Sequence, residues 1–116
     1  MRYLFILNDP PYGTERSYNG LRLVDKLTKT DESAEVTVFL MADAVGCAKT
    51  GQKTPDGFYN LERMLKPILR GSEVLLCGTC MDARGLADTD LMEGARRSSM
   101  VELTERRIAA DKVLVF

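Results

Sequence analysis

The sequence predicts a single α/β domain, residues 1–116, in which a parallel sheet is covered by helices on both faces. Three observations point there. Strand-like and helix-like stretches alternate along the whole length, as they do when parallel strands are joined by crossover helices. The opening run from Arg2 to Leu7 is apolar almost without interruption, the pattern of a strand buried on both sides. No repeat, linker or low-complexity stretch divides the chain, and 116 residues suit one core.

The first strand, Arg2 to Leu7, stops at Asn8-Asp9-Pro10-Pro11-Tyr12-Gly13, which cannot continue a ladder. Thr14 is placed to cap a helix with Glu15 in its first turn. Tyr18, Leu21, Val24 and Leu27, joined by Leu23, form its apolar stripe, and it ends near Thr30. Asp31-Glu32-Ser33 reads as a turn, after which Val36, Val38, Phe39, Leu40 and Met41 supply a second strand bounded by Ala42-Asp43. Periodicity then fades: a short helical turn around Asp43 to Ala48 gives way to a mobile loop reaching Gly57. Leu61, Met64, Leu65, Ile68 and Leu69 recur at helical spacing, with Pro67 bending the last turn and Gly71 as the stop.

Glu73 to Cys77 forms the third strand, and the glycine-rich turn after it carries Cys80. A short helical piece near Asp88-Thr89-Asp90, broken by Gly94, precedes a brief fourth strand at Ala95-Arg96-Arg97. Ser99 and Glu102 have the spacing of a capping box for the final helix, whose apolar side is Met100, Leu103, Thr104 and Ile108. Past Asp111, Lys112 to Phe116 forms a terminal strand.

Composition excludes several classes of function. With 45% hydrophobic and 28% charged residues the chain is neither a disordered tail nor a membrane span. Its first nine residues hold too short an apolar run for a secretory signal, so the expected location is the cytoplasm. Sixteen basic and seventeen acidic residues leave a formal charge of -1, which offers no field for nucleic acid or an anionic membrane. Three cysteines without an export signal point to reduced thiols. Histidine is absent, so nucleophilic chemistry here falls to a thiolate tuned by amides and arginine.

Ligands of an open parallel sheet bind outside the carboxyl ends of its strands. Asn8 and Asp9 follow the first strand, Asp43 and Cys47 the second, and Cys80, Asp82 and Arg84 the third. If the second and third strands are neighbours, Cys47 and Cys80 open onto one crevice. Two effects would lower the Cys80 thiol pKa: the N–H groups of the turn from Gly78 to Gly85, and the charge of Arg84. Gly78 would let the chain approach a bound anion, and Thr79 could donate to the thiolate or to a sulfur carried on it. Asp82 could orient Arg84, cap the turn or raise the thiol pKa, and Asp82 with Arg84 is otherwise a solvated ion pair. Cys77 lies within the strand pattern and reads as core.

The spacing Cys77-Gly78-Thr79-Cys80 also invites a thioredoxin-like reading. Against it, the first cysteine belongs to the strand and glycines soon follow the second, where a long helix is needed. A structural zinc site needs four ligands, more than three cysteines supply without a carboxylate or a second subunit. No phosphate-binding glycine motif follows any strand.

From Leu75 to Leu86 the run Leu-Leu-Cys-Gly-Thr-Cys-Met-Asp-Ala-Arg-Gly-Leu strongly resembles the DsrE-like proteins, sulfur-relay proteins of the DsrE, DsrF and TusD type. Weaker support comes from the strand leading into Asn8-Asp9-Pro10, from Phe39-Leu40-Met41-Ala42-Asp43-Ala44-Val45, and from Ser99-Met100-Val101-Glu102-Leu103 through Ala110-Asp111-Lys112-Val113. The resemblance implies a three-layer α/β/α domain with a five-stranded parallel sheet, assembled as a homotrimer or homohexamer. It implies Cys80 as the residue that takes sulfane sulfur from a donor protein or small thiol, holds it as a persulfide and passes it to an acceptor thiol, with no metal or organic cofactor. Asn8, Asp43, Gly78, Thr79, Asp82, Arg84 and Cys47 are the expected surroundings. Two rival functions share the fold: a non-catalytic interaction subunit, and a redox sensor pairing Cys47 with Cys80.

Overall fold

Period-two alternation along parallel strands decides the architecture. The computed structural model describes residues 1–116 and contains strands β1 (Arg2–Leu7), β2 (Glu35–Leu40), β3 (Glu73–Cys77), β4 (Arg96–Ser98) and β5 (Lys112–Val115). They form one five-stranded sheet in the order β4-β3-β2-β1-β5, with every neighbouring pair parallel. The helices are α1 (Arg16–Thr30), α2 (Leu61–Ile68), α3 (Gly78–Asp82) and α4 (Met100–Ala109).

One face of the sheet carries Phe5, Leu7, Val36, Val38, Leu40, Val74 and Leu76, which pack against Leu21 and Val24 of α1 and Leu61, Leu65 and Ile68 of α2. The other face carries Leu4, Phe39, Leu75 and Cys77, and α4 meets it with a single buried residue, Leu103. The three layers are therefore unequal. Of the apolar side expected for the last helix, Met100 and Ile108 lie in solvent in the single chain, as does Val101.

Several boundaries depart from the sequence expectation for identifiable reasons. Thr14 sits outside α1, where its hydroxyl accepts from the Arg16 amide and donates to Asp9; Glu15 occupies the cap position without a side-chain bond. Leu23 is exposed because it points away from the stripe that α2 covers. The segment after β2, Ala42–Ala48, is a run of 3-10 helix. Beyond it, the expected loop is pinned by Gln52, whose amide donates at 2.8 Å to the carbonyls of Cys47 and Lys49. Asn60 caps α2 by accepting from the Arg63 amide at 3.0 Å, and its own amide donates to the Gln52 carbonyl at 3.0 Å. Pro67 falls in the last turn of α2, as expected.

The capping box at the last helix is only half formed. Ser99 accepts the Glu102 amide, but the Glu102 carboxylate turns instead to Arg96, which grips it with both terminal nitrogens at 2.7 and 2.8 Å. Ser98 and Arg106 also donate to it. This joins α4 to β4. The Arg96 bonds first, then the Ser98 hydroxyl, hold the Glu102 carboxyl down at about 2, against a smaller upward push from burial.

Two outcomes follow for stability. Truncating the only buried anchor of α4, Leu103→Ala, should lower the urea midpoint by an amount equivalent to about 2–5 kcal/mol; an unchanged midpoint would mean that α4 is held by other means. The Glu102 carboxyl is depressed when folded, so its contribution is complete above the ordinary value of 4.5 and is lost as pH falls through about 2. In acid unfolding followed by circular dichroism, Glu102→Gln should flatten the loss of stability across that window.

Candidate functional site

Parallel pairing of β2 with β3 sets Leu40 opposite Leu76, so the segments leaving the two strands emerge side by side. Cys80 stands at this junction. It is not in a loop, as the glycines suggested: Cys77 occupies the cap position of α3 and Cys80 is the third helical residue. Met81, fully buried in the main core, draws this turn inward and closes it into a helix. Gly85, at a φ of +66°, ends the turn in a conformation that suits glycine.

The Cys80 sulfur accepts an N–H bond from Ala42 at 3.2 Å. That amide comes from the neighbouring strand's exit, not from the sulfur's own turn. Ala42 has a φ of 49°, in the left-handed region that disfavours a side chain. Arg84 reaches back across Cys80, donating from Nη1 to the Cys80 carbonyl at 3.1 Å and from Nε to Asp43 at 2.7 Å. Asp43 and Arg84 thus tie the two exits together over the thiol, although both side chains are exposed enough that the pair adds little stability.

The remaining expected residues take different positions. Asp82 pairs with Arg97 at 3.0 Å and not with Arg84. Thr79 shares a 3.2 Å hydrogen bond with the Cys77 sulfur and not with Cys80. Gly78 answers to packing: a Cβ there would lie 3.1 Å from the Ser98 carbonyl and from Cγ of Arg97, whose Nη1 donates to the Gly78 carbonyl at 3.0 Å. The Asn8 side-chain amide donates to the Phe116 carbonyl at 3.0 Å and holds the chain end beyond β5. Cys47 is 0% exposed, and burial pushes its thiol up to about 12 even with help from Ser17 and its own amide. It neither opens onto the crevice nor offers a thiolate near neutral pH, which removes the basis of a Cys47 to Cys80 sensor.

The two other thiols influence each other. At Cys80, burial raises the thiol pKa above its ordinary value and the adjacent Cys77 raises it further; the Ala42 amide and the Arg84 charge pull it down by less. At Cys77 burial also pushes upward, but the Thr79 hydroxyl, the Cys80 thiol and the amides of Cys80 and Thr79 outweigh it, so this thiol falls below its ordinary value. The two thiols therefore titrate as a pair and not as independent groups. A lowered Cys80 thiol was the sequence expectation; burial first, and then the neighbouring Cys77, reverse it.

Sequence reasoning missed three participants. Ala42 gave no signal, since nothing about an alanine announces a left-handed backbone. Arg97 looked like an edge-strand residue, yet it braces Gly78, Asp82 and, at 2.7 Å, Asp88. Cys77 was legible as buried, and its pairing with Cys80 was raised by the spacing but set against the glycines that follow. The largest groove, about 890 Å³, opens at the opposite end of the sheet among Arg2, Glu35, Glu73 and Arg106, where the side chains are ion-paired and no thiol is present.

Comparison with known proteins matches residues 1–116 to the model of the DsrE/DsrF-like family. The chain is 37% identical over 116 residues to protein YchN of Escherichia coli K12, covering 99% of this chain and 98% of that protein. It is also 37% identical over 116 residues to the uncharacterized protein MJ0989 of Methanocaldococcus jannaschii, with both chains covered in full. The crystal structure of E. coli YchN superposes with a TM-score of 0.95 at 36% identity, over 100% of this chain and 99% of that one. Protein MTH1491 of Methanobacterium thermoautotrophicum shares the fold, at a TM-score of 0.81 and 16% identity over 99% of this chain and 98% of that one. With the family model matched from the first residue to the last and the three-layer α/β/α fold in common, this chain belongs to the DsrE/DsrF-like family.

Proposed function

We propose that this protein is a sulfur carrier in which Cys80 accepts sulfane sulfur, holds it as a persulfide and passes it to an acceptor thiol. The observation that carries this reading is the Cys80 sulfur itself: partly exposed, at the carboxyl end of the sheet, and accepting the Ala42 amide at 3.2 Å. In the loading step the Cys80 thiolate attacks the outer sulfur of a donor persulfide. A Cys80 S–S bond forms, the donor's S–S bond breaks, and the donor leaves as its thiolate. Discharge repeats the exchange with an acceptor thiolate, which takes the outer sulfur and returns Cys80 to its thiolate. Neither step needs a redox cofactor, because one S–S bond replaces another.

Cys77 and Cys80 titrate as a pair, so the charge on Cys80 is set partly by its neighbour. A Cys80 thiol held above its ordinary value gives a more basic thiolate, and intrinsic nucleophilicity rises with basicity. Arg84 supplies positive charge beside the anionic persulfide.

Donor and acceptor are proteins or small thiols, and the proposed assembly is a homotrimer or homohexamer. The apolar surface of α4, with Val101 69% and Ile108 79% exposed, favours cover by further copies of the chain. The proposed setting is the cytoplasm, where thiols stay reduced; no helix is long and apolar enough to cross a membrane.

Incubation with inorganic polysulfide followed by intact mass measurement tests the acceptor. The native protein should gain sulfur at Cys80, with Cys47 unmodified, and Cys80→Ser should gain none; equal gain in Cys80→Ser would overturn the proposal. The pH dependence of alkylation tests the pairing of the thiols. Cys77→Ser removes the two upward influences that Cys77 exerts and leaves the Ala42 amide and Arg84 in place, so the midpoint for Cys80 alkylation should move to lower pH. A shift to higher pH would mean that Cys77 does not raise the Cys80 thiol.

A further inference from the structure

Cys77 is fixed one turn from the reacting sulfur, and the exchange of one S–S bond for another makes no bond to it. It caps α3 while Cys80 is the third helical residue, so the two are the ends of one four-residue turn. The Cα atoms across such a turn lie within about 7 Å, and a disulfide spans roughly 4.4–6.8 Å between Cα atoms. Cys80 also packs on the small cluster formed by Leu4, Phe39, Leu75, Cys77 and Leu103. The two thiols are therefore neighbours with a shared apolar floor.

Their depths differ in a way that sets the direction of reaction. Cys77 is 6% exposed, whereas Cys80 has intermediate exposure. Free space for the outer sulfur of a persulfide on Cys80 lies on the solvent side, since Cys77 and the cluster around it are buried. Thiol–disulfide exchange needs the attacking sulfur, the attacked sulfur and the leaving sulfur nearly in line. For a bridge closed by Cys77 that line runs through the inner sulfur, which makes the outer sulfur the leaving group, at the end of the sheet where Arg84 and Asp43 bridge the strand exits.

We propose that Cys77 is a resolving residue that discharges an unclaimed persulfide from Cys80 as hydrosulfide and closes a Cys77–Cys80 disulfide. In the step, the Cys77 thiol and the Cys80 persulfide anion become the disulfide and hydrosulfide. The bond from Cys77 Sγ to Cys80 Sγ forms, the bond from Cys80 Sγ to the outer sulfur breaks, and the Cys77 proton leaves with the hydrosulfide. Cys77 is oxidised and the sulfane sulfur is reduced, so no external oxidant enters. Reopening the bridge takes a dithiol reductant. The carrier thereby limits the lifetime of its own cargo: an acceptor that arrives promptly takes the outer sulfur, and one that does not leaves an oxidised, unloadable chain.

This inference rests on Cys80 as the acceptor, and the experiment separates the two. Native protein, Cys77→Ser and Cys77→Ala are loaded with inorganic polysulfide, freed of small molecules, and followed by intact mass, released sulfide and non-reducing peptide mapping, with circular dichroism to establish folding. Native protein should lose its added sulfur, release matching sulfide and end with a Cys77–Cys80 peptide link. Both variants should keep the sulfur roughly tenfold longer or more, the advantage expected of an intramolecular thiol. Equal lifetimes in native and variant proteins, or sulfide release without the link, would overturn the resolving role while Cys80 loading stands. Should no chain take up sulfur, the acceptor reading fails and the resolving role with it. A parallel treatment with diamide checks the geometry alone: failure to form the Cys77–Cys80 link there also overturns the proposal.

Discussion

The hydrogen bond from the Ala42 amide to the Cys80 sulfur is the contact on which the rest of the site depends, because it exists only if two strands are paired in one register. Ala42 is two residues past Leu40 and Cys80 four past Leu76, and Leu40 and Leu76 are opposite one another in the β2–β3 ladder. A slip of β3 by one residue would turn Val74 and Leu76 out of the main core and send Leu75 into it. The hydrophobic pattern that specifies the sheet therefore also aims an N–H at a thiol. Site and core cannot be specified separately here.

The contact carries a local cost that the surroundings offset. A left-handed alanine is unfavourable by about 1–2 kcal/mol relative to the ordinary helical region, and Ala42 is held there by the packing that follows, with Ala44, Val45, Cys47 and Ala48 all buried. On the other side, Gly78 brings the start of α3 close against β4, within reach of Arg97. Arg97 then reaches the Gly78 carbonyl, Asp82 and Asp88, so one side chain fixes a helix of five residues that could not persist alone. Strain at one exit and a close approach at the other converge on one sulfur, which is how functional geometry is usually held.

Patterns of burial were legible in the sequence; partnerships among polar groups were not. Alternation of strand and helix, the double-sided burial of β1 and the helical spacing of Leu61, Leu65 and Ile68 all reflect the transfer of apolar surface from water, which depends on residue type and spacing alone. By contrast, Asp82 chose Arg97 over Arg84, and Thr79 chose Cys77 over Cys80. Such choices depend on which face of a short helix looks at which strand. The glycines around Cys80 also misled, since Gly78 serves close packing and Gly85 ends a turn, so a glycine-rich stretch was a helix with tight neighbours. Asn8 followed the same logic: its place after β1 was readable, but its bond to the last carbonyl of the chain spans 108 positions.

A chain without histidine must tune its attacking thiol by other means, and one of them here is a second thiol. A thiol near the surface, with another of its own kind one helical turn away, titrates jointly with it. The Thr79 hydroxyl and two amides favour charge on the deeper sulfur, whereas burial disfavours it on the outer one. Separate depths prevent the roles from being exchanged, since only Cys80 can meet a partner molecule. The two cysteines are the ends of one turn over a shared apolar floor, so a charge on one is felt by the other and neither thiol can be tuned alone.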